Sequence, residues 1–234
     1  MLVLNTTIIF TLCNLYVGIL IIKEYKKNKM NYILLMALIS FGLFYDAFTI
    51  SLSGLLSLSI IKTNLFKFLS SLRYISHGIS VPSLFLICEE NLPKNKKRHL
   101  FILIITLIFI ICGILQGIFT DLEIVKTGLI NRYASSKNTP KWALFLGAMV
   151  TIIPMIYLHI VGFIIFNKKK NPYMLIGGVF MLIFASLGGS VKSIREYNYF
   201  ISMIGEVPMN ICFYLHIIKE NNKNPQAQKV KKVK

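Results

Sequence analysis

The sequence predicts an all-α, polytopic membrane protein: a bundle of seven transmembrane helices, N-terminus outside and C-terminus cytoplasmic. Three observations predict it. Of 234 residues, 55% are apolar and only 15% charged, where a soluble domain carries about 25% charged residues. The mean hydropathy is +0.66. The 26 Lys and Arg, against 9 Asp and Glu, gather in short clusters between long apolar runs. This patterning excludes an ordinary cytosolic enzyme or a nucleic-acid binder. The basic excess of +17 suits an anionic membrane surface instead.

Seven stretches reach the roughly 20 apolar residues that a hydrocarbon core of ~30 Å requires. They are 3–22, 32–53, 65–88, 100–119, 142–166, 173–191 and 199–218. None alternates apolar and polar residues as barrel strands do, so helices are the spanning solution. No stretch repeats another at a fixed period. Residues 1–218 therefore form one transmembrane domain, and 219–234 a basic tail whose composition predicts disorder.

Orientation follows from the basic residues. Lys23, Lys26, Lys27 and Lys29, then Lys94, Lys96, Lys97 and Arg98, then Lys168 to Lys170 and the tail lysines all fall on one side. They make up 17 of the 26, and the positive-inside rule places them in the cytoplasm. An odd number of spans puts the N-terminus outside. The first run lacks a positive leader and a small-residue cleavage site, so it is expected to remain as a span. The expected location is the cell membrane, with the lipid bilayer as partner and anionic headgroups against the basic cytoplasmic face.

Cys13, Cys88, Cys112 and Cys212 lie within or at the ends of spans. They lack metal-ligand spacing and an outer-loop position for a disulfide, so buried structural thiols are expected. His159 and His216 stand alone in their spans and read as packing or interfacial residues. No phosphate-binding glycine loop, zincin pattern or nucleophile elbow occurs, and no enzyme is predicted.

Charged residues inside a span are expensive and mark function by default. Three lie well inside: Asp46 in the second span, Arg73 in the third and Glu206 in the seventh. At 1.5 Å rise per residue, each sits about 10–12 Å from the outer end of its span. They share one layer of the outer half-membrane and are expected to cluster, since an unpaired charge there costs several kcal/mol. His77 lies one turn below Arg73 on the same face, with Ser76 and Ser80 near it and Pro82 placed to kink the helix. Pro208 and Asn210 add polarity near Glu206. A ligand or ion site built from Asp46, Arg73, His77, Ser80, Glu206 and Asn210 is the expectation, against interhelical glue as the alternative.

The third span, Arg73-Tyr74-Ile75-Ser76-His77-Gly78-Ile79-Ser80-Val81-Pro82, resembles the third helix of microbial rhodopsins. That helix carries Arg-Tyr, a counterion carboxylate, an aromatic retinal contact, a Thr and a Pro in this order. Glu206-Val207-Pro208-Met209-Asn210 is similar to the family's Asp-x-x-x-Lys in the seventh helix. The resemblance implies a seven-helix bundle with Arg73 set against Glu206. It also implies what is absent. Asn210 stands where the Schiff-base lysine belongs, Ser76 replaces the counterion, His77 the aromatic contact and Ile87 the proton donor. Covalent retinal and light-driven pumping are therefore not expected, while a noncovalently held apolar chromophore would still fit the resemblance.

The expected function is a non-enzymatic sensory or ligand-binding membrane protein that signals through a separate cytoplasmic partner. The outer loop 120–141 is placed to gate its site. The alternative is a proton or ion transporter or channel using Arg73, Glu206 and His77.

Overall fold

The computed structural model describes residues 2–190 and 197–223, and 83% of the chain is helical. Five helices are long and apolar enough to cross a membrane: α1 (Leu2–Asn28), α2 (Asn31–Leu55), α6 (Lys96–Phe119), α7 (Lys141–Lys169) and α9 (Asn198–Lys223). The remaining helices are α3 (Leu58–Ile61), α4 (Asn64–Ser80), α5 (Ser83–Glu90) and α8 (Tyr173–Ser190). In α8 the apolar stretch is shorter, Tyr173–Leu187, and the expected end of that span at Val191 lies outside the described residues.

Three expectations are corrected. The third stretch is not one helix, because Pro82 has no N–H to give the Gly78 carbonyl and its ring crowds the preceding turn. The backbone nevertheless stays right-handed at Val81 (φ −65°, ψ −44°) and Pro82 (φ −60°, ψ −23°). The chain bends there and does not turn back. Ser83 Oγ donates to the Ile79 carbonyl at 3.2 Å across the bend.

The fold is also not purely α. The expected loop 120–141 holds an antiparallel hairpin of β1 (Leu122–Thr127) and β2 (Ile130–Ser135), with Leu122 opposite Ser135 and Thr127 opposite Ile130. The pairing leaves a two-residue loop, and Gly128 (φ 60°) supplies the positive φ that its first position takes. Ile130 packs with Ala47, Ile50 and Met203, and Leu122 and Tyr133 pack with Ile61 and Phe66. The hairpin thereby caps one end of the bundle.

Third, helix continues beyond 218 into the stretch expected to be disordered. Glu220 accepts from Asn171 Nδ2 at 3.0 Å and pairs with Lys169 at 3.2 Å, while Asn221 donates to Glu24 Oε2 at 3.0 Å. These contacts tie the last turns of α9 to α1 and α7. Residues 224–234, the rest of the tail, lie outside the described residues.

The core runs along the bundle axis, with Ile21, Ile33, Met36, Leu84, Ile87, Leu158, Met174 and Phe213 fully or nearly fully buried. Between apolar helices in lipid, close backbone approach and polar contacts hold the packing together. At the crossing of α4 and α6, a Cβ on Gly78 would fall 2.5 Å from the Gly113 carbonyl carbon, and one on Gly117 would fall 2.9 Å from Ile75 N. Gly113 and Gly117 form a Gly-x-x-x-Gly face that sequence reading passed over. Deep in the core, Asn210 accepts from Ser40 Oγ and donates to Asn14 Oδ1 at 3.0 Å, joining α9, α2 and α1.

At the end away from the hairpin, Arg98 pairs with Glu89 at 2.7 Å, and His216 Nε2 lies 2.9 Å from Asn91 Oδ1. Lys27 pairs with Glu24 at 2.5 Å. Much of the described acidic charge at this end is thus matched by cations.

Candidate functional site

Near the hairpin end, five helices surround a cavity of about 280 Å³. Helical periodicity decides who reaches it. On α4, Arg73, Tyr74 and His77 share a face at the one-turn spacing, and on α9 Tyr199, Ser202 and Glu206 recur at i, i+3 and i+7. Asp46 enters from α2, Gln116 from α6, and Gly147 and Thr151 from α7. Four of the six expected site residues, Asp46, Arg73, His77 and Glu206, therefore meet at one cavity.

Ser80 and Asn210 do not. Ser80 is buried one turn deeper, where a Cβ added to Gly42 of α2 would sit 3.3 Å from its own Cβ. The Asn210 amide is held by Ser40 and Asn14 and is fully buried among the helices. Sequence reading missed Gln116, Gly147, Thr151, Tyr199 and Ser202, and took Tyr74 only as part of the Arg-Tyr pattern. Only the i, i+3, i+7 spacing ahead of Glu206 could have singled any of them out.

The charges do not pair as the resemblance implies. Arg73 Nε donates to Asp46 Oδ1 at 2.6 Å, and the Arg73 side chain is 9% exposed. Close by, Tyr45 Oη donates to the Leu69 carbonyl at 2.8 Å, fixing α2 against α4 about one turn before Arg73. Glu206, 5% exposed, makes no ion pair with Arg73. Its Oε1 accepts from Ser202 Oγ at 3.2 Å, and its Oε2 is buried with no partner. The Tyr199 hydroxyl is buried without a partner too. The His77 ring has no hydrogen bond among the described residues.

The hairpin reaches the same wall. The Arg132 guanidinium lies 4.0 Å from the ring centroid of Tyr199, stacked on the residue that opens the α9 face of the cavity. Burial, and after it the nearby Arg73 charge, lowers the Arg132 pKa. Beyond His77 the packing turns mostly apolar, apart from the hydrogen-bonded Asn14, Ser40 and Asn210. Leu43, Leu84, Met155, Leu158, Met209 and Phe213 fill the bundle with apolar side chains.

The other titratable groups lie elsewhere. His159 Nδ1 lies 2.6 Å from the Met155 carbonyl in its own helix. The four cysteines are free, with Cys88 and Cys212 buried. Among the described residues no group of three His, Cys, Asp or Glu could hold a metal ion. No protein-family model matches the chain, and no curated protein matches it. With five helices able to span, the chain belongs to the class of helical proteins compatible with multi-pass membrane insertion.

Proposed function

We propose that the chain is a non-enzymatic, seven-helix protein of the cell membrane that binds a small polar ligand in the cavity beside Glu206 and serves a sensory or ligand-binding role. The observation that carries this reading is the state of the cavity's polar groups. Interhelical glue pairs its buried groups, as Asn14, Ser40 and Asn210 do. In the cavity, Glu206 Oε2 and Tyr199 Oη are buried without partners, although nearly all buried polar groups are normally satisfied. Groups left open around a void are those a ligand or its waters would complete.

Seven spans are reached by adding two segments to the five long helices. One is α4 with α5, running on through the bend at Pro82; the other is α8. The lysine-rich end then faces the cytoplasm, the hairpin faces outside, and 1–218 is one membrane domain. Covalent retinal has no place in this reading. Among the described residues no lysine lines the cavity, and Lys219 lies at the far end of α9, its Nζ 5.7 Å from the Tyr173 ring centroid. The polar lining also suits a polar occupant better than an apolar chromophore.

The transport alternative would use Glu206; against it, most side chains below His77 are apolar, with the Asn14, Ser40 and Asn210 groups already hydrogen-bonded to one another. Proton flux in liposomes that is abolished by Glu206→Gln would restore it. The ligand-site reading is tested by alkylating Thr151→Cys with a membrane-impermeant maleimide, in a background lacking the four native cysteines. Labelling from the hairpin side is expected. A cysteine there that stays unlabelled while Lys67→Cys reacts would overturn the reading.

A further inference from the structure

The cavity's open groups are of opposite character and stand on different helices. On α4, Arg73 commits only Nε to Asp46, and its two terminal amino groups have no hydrogen bond among the described residues. On α9, the Oε2 of Glu206 and the hydroxyl of Tyr199 are buried and unpartnered. Arg73 and Glu206 line one cavity without forming an ion pair. Opposite charges attract strongly where water is scarce, so helices that hold them apart preserve a gap between a donor fork and an acceptor.

Among the described residues the formal charges around that gap balance. Asp46 and Glu206 stand against Arg73 and, behind the Tyr199 ring, Arg132. A lone cation entering would gain Glu206 but meet Arg73. A lone anion would gain Arg73 but meet both carboxylates. An occupant with no net charge and one charge at each end meets neither penalty. The volume of about 280 Å³ is just below the ~300–1,000 Å³ of pockets for drug-sized ligands, which suits a smaller molecule.

We propose that the cavity binds a small zwitterion of α-amino-acid size. Its carboxylate takes the terminal amino groups of Arg73, whose planar fork matches a carboxylate. Its ammonium donates to Glu206 Oε2, with Tyr199 Oη and the His77 ring as further polar partners. The inference rests on the reading of this cavity as a ligand site and adds the ligand's class to it.

The test uses the full chain in lipid nanodiscs with the Thr151→Cys reporter. Thr151 lines the cavity but bonds only the Gly147 carbonyl, at 3.0 Å. Three probes are compared for slowing maleimide labelling: L-alanine, L-alaninamide with the ammonium alone, and N-acetyl-L-alanine with the carboxylate alone. L-alanine at about 10 mM is expected to protect, as a ligand of few atoms binds in the millimolar range or somewhat tighter. Neither half-charged probe should protect. Glu206→Gln and Arg73→Lys are each expected to weaken protection about tenfold or more. Arg73→Lys keeps the charge beside Asp46, so it separates lost recognition from lost folding.

Protection by the amide alone, or by the N-acetyl compound alone, would overturn the zwitterion. Protection by L-alanine that persists unchanged in both variants would overturn it as well. If the Thr151→Cys reporter labels freely and no probe protects, the zwitterion is wrong while the ligand site stands. If the reporter does not label at all, the ligand-site reading falls and takes the zwitterion with it.

Discussion

Arg73 donates to Asp46 at 2.6 Å and leaves Glu206, on another wall of the same cavity, without a cation among the described residues. The two carboxylates thus differ in kind, one bound into an ion pair and one open. Asp46→Asn strands the guanidinium of a side chain that is 9% exposed, and breaking such a pair from one side should cost about 3 kcal/mol. Glu206→Gln keeps an oxygen for the Ser202 hydroxyl and should change stability by less than about 1 kcal/mol. Thermal unfolding in detergent reads both, and the Asp46→Asn, Arg73→Gln double variant should recover part of the loss. Equal losses in the two single variants would mean that Glu206 is built into the bundle as firmly as Asp46.

The crossing of α4 and α6 should tolerate no side chain. A Cβ on Gly78 meets backbone, 2.5 Å from the Gly113 carbonyl carbon, so Gly78→Ala must push two helices apart. An overpacking cost of about 1–3 kcal/mol is expected. At Gly147 the nearest atom is the flexible Gln116 Cγ at 3.2 Å, and Gly147→Ala should be much milder. The ranking of the two melting temperatures is the measurement, and a reversed ranking refutes the close approach.

Asp46, Arg73, His77 and Glu206 were legible because a charge or imidazole inside an apolar run is rare, and depth counting places such residues in one layer. Which charge pairs with which was not legible, since it depends on how α2 and α9 are rotated about their axes. The same rotation sends Asn210 to Ser40 and Asn14 and away from the cavity. Gln116 and Thr151 are ordinary residue types within apolar spans, and nothing in one sequence distinguishes them from lipid-facing or interfacial neighbours. The hairpin was within reach. Two β-branched and aromatic segments flank Gly128-Leu129, a strand signal obscured by reading the whole interval as a connection between helices.

Asn210 joins three helices through one amide, donating to Asn14 and accepting from Ser40. Asn210→Leu leaves the Asn14 carboxamide oxygen buried without its donor, whereas Ser40 keeps the Met36 carbonyl at 2.9 Å. The expected loss is about 1–3 kcal/mol, relieved when Asn14→Leu is added. All-trans retinal followed by borohydride should leave no reduced adduct on the wild-type protein. An adduct on α9 would contradict the placement of its only described lysines, Lys219 and Lys223, at the end away from the cavity.

The hairpin's base should loosen in acid. Asp121 Oδ2 accepts from Ser136 Oγ at 2.6 Å, and the Ser136 N–H donates to the Asp121 carbonyl at 2.8 Å. The Ser136 hydrogen bond holds the Asp121 carboxyl below its usual range. A depressed folded value stabilises above the unfolded pKa of about 3.9, and the contribution disappears as pH falls through the folded one. Hairpin amide protection in the wild type should therefore exceed that of Asp121→Asn above about pH 4 and converge with it in stronger acid. A constant difference across that range would detach Asp121 from hairpin stability.

Arg132 stacks on Tyr199 of the cavity wall, 4.0 Å from the ring centroid, beside the apolar packing of Ile130 against the same region. A guanidinium over a phenol ring contributes about 0.5–2 kcal/mol, the larger figure where water is excluded. Arg132→Gln removes that hold on the residue at the hairpin end of the α9 wall. Labelling of the Thr151→Cys reporter should then accelerate by up to about tenfold, the rate equivalent of 1.4 kcal/mol. Arg132→Lys, which keeps a weaker cation over the ring, should fall between the two. If all three proteins label at one rate, the Arg132 contact does not govern entry to the cavity, and Tyr199 is held by its apolar packing.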